Sequence, residues 1–183
     1  MSVFIAGLLL VCELVQANTS EPSPCDLLKK DPKVISVYPI GPAWAGHPVG
    51  FCLYTSPPYQ YVGYYDADRR MVIAARELSS DHWEIQRLPT SVGWDSHNSI
   101  VIVVDKAGYV HVTGNMHVTP LIYFRTEQPH AISTFQRLPM VGQDEQRVTY
   151  PRFLFTANGD LLFFYRDGAS GRGRQFINVY DDT

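Results

Sequence analysis

From about residue 34 onward the chain alternates short apolar runs with clusters of Gly, Asp, Asn and Pro. Few stretches hold the i, i+3, i+4, i+7 apolar spacing of a helix for three turns. Two of the clearest runs, 100–112 and 153–165, are rich in β-branched and aromatic residues, and each is broken once by a short polar segment. Those segments are Asp105-Lys106-Ala107-Gly108 and Thr156-Ala157-Asn158-Gly159. A Gly at the end of such a segment supplies the positive φ that a tight hairpin needs. The pattern predicts antiparallel hairpins throughout and an all-β chain.

The hairpins recur with a period. Trp83-Glu84-Ile85-Gln86-Arg87-Leu88-Pro89 returns as Phe135-Gln136-Arg137-Leu138-Pro139, and Arg87 to Arg137 is a shift of 50. Gly108 to Gly159 is a shift of 51, and Met71–Arg76 returns as Leu121–Arg125 with Arg76 to Arg125 a shift of 49. Each unit reads as strand, Asp/Asn-x-Gly hairpin, strand, longer loop, strand, loop, strand. A four-stranded sheet cannot bury both of its faces alone, so such units stack around an axis as the blades of a β-propeller. A β-sandwich shows spaced strands but no sequence period of this kind. Propellers close with about four to eight blades, whereas the 166 residues that follow the first 17 hold little more than three units of 50. The last unit reaches Tyr180-Asp181-Asp182-Thr183 where its fourth strand is due, so the expectation is an incomplete propeller of about three blades.

Three segments divide the chain. Residues 1–17 read as a signal peptide: Val3–Val11 is apolar but too short to span a bilayer, and Val15-Gln16-Ala17 offers small residues for cleavage. Residues 18–45 form a polar, Pro-rich lead-in, and residues 46–183 form the partial propeller. Export to a secreted or periplasmic location follows from the first segment. In an oxidising compartment Cys25 and Cys52 can form a disulfide, or they can stay as buried thiols. With 15 Lys+Arg against 18 Asp+Glu the formal charge is −3, which excludes nucleic acid and an anionic membrane surface as expected partners.

Four polar segments exceed what blades need: Asp95-Ser96-His97-Asn98, Gly114-Asn115-Met116-His117, Thr149-Tyr150-Pro151-Arg152 and Phe163–Gly168. By the repeat, His97 and Tyr150 precede equivalent inner strands one blade apart, and His117 and Arg166 follow the hairpins of the same blades. Neighbouring blades bring such positions together near the axis. His, Tyr and Arg suit β-elimination on a uronic acid, in which a cation neutralises the carboxylate, a base takes the C5 proton and an acid protonates the departing O4. Hydrolysis would call for paired carboxylates; Asp95, Asp167 and Asp144-Glu145 are candidates, and none forms an evident pair. His111, mid-strand, reads as structural, and His47, His82 and His130 read as loop residues. No cofactor or metal site is identified.

The stretches SHNSIVIVVDKAGYVHVTGNMH, LIYFRTE, VTYPRFLF and GDLLFFYRDGASGRG resemble the BNR-4 repeat family, from about Gly46 to the end of the chain. That family includes seven-bladed propeller ulvan lyases and related polysaccharide lyases. The resemblance implies that His97, His117, Tyr150 and Arg166 line a lyase site. In it Arg166 and His117 would meet the substrate carboxylate, while His97 and Tyr150 share the base and acid roles in either order. Asn98 and Arg152 are supporting candidates. The implied partner is an anionic, uronate-containing polysaccharide of the ulvan kind. A non-catalytic glycan-binding propeller and a glycoside hydrolase on the same scaffold are the alternatives.

Overall fold

The computed structural model describes residues 33–181. The leader expected over 1–17, the first half of the lead-in and Cys25 lie outside the described residues. Among the described residues, twelve strands form three four-stranded antiparallel sheets, each one a propeller blade. Blade 1 contains β1 (Cys52–Ser56), β2 (Tyr59–Tyr65), β3 (Arg70–Glu77) and β4 (Glu84–Ser91), in that order. Blade 2 contains β5 (Ile100–Val104), β6 (Val110–Gly114), β8 (Tyr123–Thr126) and β9 (Phe135–Arg137). Blade 3 contains β10 (Val148–Phe155), β11 (Leu161–Asp167) and β12 (Arg174–Val179), with the short β7 (His117–Thr119) added on the inner side of β10. The only helical segment among the described residues is one 3-10 turn, Ile132–Thr134.

The repeat maps onto equivalent elements. Arg87 and Arg137 stand on the outer strands β4 and β9, and Arg76 and Arg125 on the third strands β3 and β8. Gly108 and Gly159 close the β5–β6 and β10–β11 hairpins at φ +90° and +83°, conformations that side chains resist. Blade 1 differs, because its β1–β2 turn is built on Pro57-Pro58 instead of a polar segment ending in Gly. The reading that Tyr150 precedes its strand is corrected. Tyr150 lies within β10, and His117 opens a strand of its own that pairs with the neighbouring blade.

Alternation of side chains along each strand decides where the core sits. On β2 and β3, Tyr61, Tyr65, Met71, Ile73 and Ala75 face blade 2, where they pack against Ile100, Ile102, Val110 and Val112. Their neighbours Val62, Tyr64, Val72 and Ala74 face the other way, and Tyr38, Ile40 and Ala43 of the lead-in cover them. A third core, with Met116, Tyr123, Val148, Phe163 and Tyr165, joins blade 2 to blade 3. On the far face of blade 3, Leu154, Ile177 and Val179 are exposed. Cys52 is a half-buried free thiol, and burial raises its pKa.

Candidate active site

The site forms where blade 2 hands the chain to blade 3. Asp95 lies in the loop ahead of β5, and its Oδ1 accepts hydrogen bonds from the His97 backbone N–H at 2.9 Å and from His97 Nδ1 at 2.6 Å. Its other oxygen, Oδ2, accepts from His117 Nδ1 at 2.6 Å. One carboxylate therefore bridges two imidazoles, whose ring centroids are 4.3 Å apart. The His97 backbone N–H, outweighing partial burial and aided by the two imidazoles, holds the Asp95 carboxyl far below the usual carboxylate range. An ionised carboxylate only accepts, so both Nδ1 atoms must carry protons. Each ring then presents Nε2 as the atom that takes up or releases a proton.

His117 reaches this position through unusual backbone. Asn115 and Val118 adopt φ +60° and +58° on either side of it, turning the chain out of β6 and against β10. The Val118 N–H donates to Thr149 Oγ1 at 2.7 Å, and Thr149 pairs directly with His117. Asn115 is anchored by its side-chain amide to Thr90 Oγ1 at 2.7 Å and to the Ser91 carbonyl at 3.0 Å.

Tyr150 sits at a register shift between Thr149 and Arg152 on β10, with φ +53°. A bulky residue rarely adopts that conformation, and the following Pro disfavours it further. Strain of this kind persists where the surroundings hold it and clusters at functional sites. Bulges commonly re-aim a side chain. Here the phenol ring lies 5.8 Å from His97 and 5.9 Å from His117, and it stacks on the latter. The guanidinium of Arg166, on β11 opposite Thr149, lies 5.0 Å from the centroid of the Tyr150 ring. The Gly168 carbonyl accepts from Arg166 Nε at 2.9 Å. Gly173 must lack a side chain, because a Cβ there would stand 2.6 Å from the Arg166 stem.

All four residues that sequence reasoning selected thus share one cluster. The two supporting candidates part company. Asn98 is buried beneath the cluster: its carbonyl accepts from the Tyr65 hydroxyl at 2.7 Å, and its Oδ1 has no hydrogen-bond partner. Arg152 is exposed and makes no hydrogen bond or ion pair with the cluster among the described residues. The residue that sequence reasoning undervalued is Asp95, read there as a lone acid. Its signal was the Asp-x-His spacing, which lets one carboxylate bind both the backbone and the ring of His97. The other acids are engaged elsewhere. Asp144 and Asp167 both bind Arg174, at 2.8 and 3.1 Å, and Glu145 accepts the Val141 and Gly142 N–H groups.

Two cavities flank blade 2. An open cleft of about 360 Å³ is lined by Asp95, Asn98, Asn115, His117 and Arg137. A more enclosed cavity of about 310 Å³ lies between blades 2 and 3, walled by Tyr123, Phe153, Phe163 and Tyr180 beside His111. Both ring nitrogens of His111 are already bonded, so the chemistry belongs with the open cleft. There, single donor atoms of Asp95, His97 and His117 all lie within 4.8 Å of one another, a set able to hold a metal ion.

Residues 59–183, more than half of the chain, match the BNR repeat-containing family. The chain belongs to that family. Among solved structures it is similar to the polysaccharide lyase Uly1, with a TM-score of 0.64 and 18% identity over 91% of this chain and 43% of that one. A PL25 ulvan lyase aligns with a TM-score of 0.59 and 20% identity, over 75% of this chain and 37% of that one. The same kind of enzyme bound to -[GlcA(1-4)Rha3S]- aligns with a TM-score of 0.60 and 18% identity, over 78% and 38%. The chain thus spans less than half the length of these lyases, and at this identity the likeness establishes the family's propeller fold. No curated protein matches the chain.

Proposed function

We propose that this chain carries the catalytic cluster of an exported polysaccharide lyase that cleaves a uronate-containing anionic polysaccharide, of the ulvan kind, by β-elimination. The observation that carries this reading is the convergence of two imidazoles, a phenol and a guanidinium around Asp95. Arg166 and the protonated imidazole of His117 neutralise the sugar carboxylate, which acidifies the C5–H bond. His97 and Tyr150 share the proton transfers. The C5 proton passes to the base, its electron pair forms the C4=C5 bond, the C4–O4 bond breaks, and O4 takes a proton from the acid. Asp95 is a positioning residue: it holds both Nδ1–H groups and so leaves both Nε2 atoms to the substrate. Arg166 provides the counter-charge for a phenolate formed in passing. The likeness to structures whose titles name ulvan lyases, one of them with a glucuronate-containing saccharide, supports a carbohydrate partner.

The test is incubation of the chain, and of any longer form its gene encodes, with ulvan and a panel of other uronates. Appearance of the ultraviolet absorbance of C4=C5-unsaturated ends is expected. Reducing ends released without that chromophore would replace the lyase with a hydrolase. Saturable binding with no product would replace it with a glycan-binding propeller.

A further inference from the structure

We propose that Asp95, His97 and His117 also form a binding site for one divalent transition-metal ion of the zinc class, and that the metal competes with catalysis. Metal binding stands on geometry alone; the competition rests on the lyase reading above.

The three donor atoms already converge. Both Nδ1 atoms lie 2.6 Å from separate oxygens of one carboxylate, and the whole set falls within 4.8 Å. Zinc takes imidazole nitrogen and carboxylate oxygen at about 2.0–2.2 Å, which places tetrahedral donors roughly 3.3 Å apart. Opening each nitrogen–oxygen contact by under about 1 Å would admit the ion. The side chains have room to make that shift, being 48%, 28% and 35% exposed for His97, His117 and Asp95. The backbone N–H of His97 keeps Asp95 Oδ1 oriented at 2.9 Å, the kind of outer contact that steadies a ligand. Two imidazoles with one carboxylate suit zinc, nickel or copper, whereas calcium and magnesium favour all-oxygen shells. Three protein ligands leave a coordination position for water, facing the open cleft.

Proton accounting explains the competition. In the neutral form of both rings each Nδ1 carries the proton and each Nε2 offers a lone pair. Coordination through Nδ1 moves the proton of each neutral ring to Nε2, with no net proton released. A neutral imidazole bound through Nδ1 carries that proton on Nε2, so His97 loses the lone pair it would bring to the proton transfers. The carboxylate that aligned both rings is occupied as well.

The experiment is calorimetric titration of the chelator-treated protein with Zn²⁺ alone, and with Co²⁺ as a spectroscopic probe. One ion per chain is expected, with the intense visible bands of four-coordinate Co²⁺. Asp95→Ala and His117→Ala should each weaken binding by about 100-fold or more, beyond what loss of an outer-shell partner costs. Asp95→Asn, which preserves shape, covers the case in which the Ala variants misfold. His82→Ala, an exposed loop histidine, should change nothing. No binding, binding indifferent to the Asp95 and His117 variants, or equally tight Ca²⁺ binding overturns the site. If elimination is observed, Zn²⁺ should suppress it and chelator restore it, and stimulation by Zn²⁺ overturns the competition. If no uronate is cleaved, the lyase reading fails by itself, and the calorimetry still decides the metal site.

Discussion

Two Asp–His–Tyr constellations stand at opposite ends of the same hairpin, β5–β6, about 13 Å apart at the usual rise of a strand. At the hairpin tip, Asp105 Oδ2 accepts from His111 Nε2 at 3.0 Å, and His111 Nδ1 meets the Tyr123 hydroxyl at 2.7 Å. Side chains there are 1% exposed for His111 and 4% for Asp105. Burial resists ionisation of Asp105, yet the His111, Tyr109 and Ala107 N–H groups outweigh it and hold the carboxyl below its ordinary value. Burial drives the Tyr123 phenol up, so it keeps its proton and donates it to Nδ1. Every nitrogen of that ring is consumed within the protein. At the other end, Asp95 uses one nitrogen from each of two rings and leaves the second unbonded beside an open cleft. The residue types are the same. What differs is solvent access and the number of bonding positions left over, and those separate a brace from a reaction centre.

Three experiments test whether solvent access is what separates the two ends. The largest effect is expected at the open end. In a form active on ulvan, Tyr150→Phe and His117→Gln should each lower the elimination rate by about 10²–10⁴-fold with little change in thermal midpoint. A small rate loss matched by a large drop in midpoint would make the open cluster structural too. At the buried end the pattern should invert. His111→Ala leaves Asp105 Oδ2 and the Tyr123 hydroxyl unpaired in the core and should cost about 2–4 kcal/mol of stability by denaturant unfolding. Its effect on Zn²⁺ affinity should be negligible.

The smallest effect is a pH dependence. The folded-state pKa of Asp105 lies below its ordinary 3.8, so the stability it confers is present above that value and is lost as pH falls below it. Thermal midpoints measured from neutral pH down through that window should drop more steeply for the native chain than for Asp105→Asn. Asp95 acts in the same direction, but its 35% exposure makes its share slight. Equal slopes for the two proteins would show that Asp105 is not the linked group.

Much of the blade architecture was legible before any coordinates, because it is written locally. The Gly108 and Gly159 turns and the β-rich runs 100–112 and 153–165 around them each depend on residues close together in the chain, and the shift from Arg87 to Arg137 repeats the same local unit. The site was legible only in part. His97, His117, Tyr150 and Arg166 stood out as polar groups at predicted strand ends, but the bridging role of Asp95 was not visible. His117 meets Asp95 only because the chain leaves β6 through two positive-φ residues and pairs with β10, some 30 residues onward. A three-residue strand has no periodicity to announce itself.

Period, turn chemistry and side-chain alternation in this sequence were enough to dictate four-stranded blades and to mark the polar groups surplus to their cores. The tertiary structure alone decided which of those groups touch. It also decided which Asp–His pair is wet and which is sealed, since water access depends on how neighbouring blades pack, a relation between residues far apart in the chain.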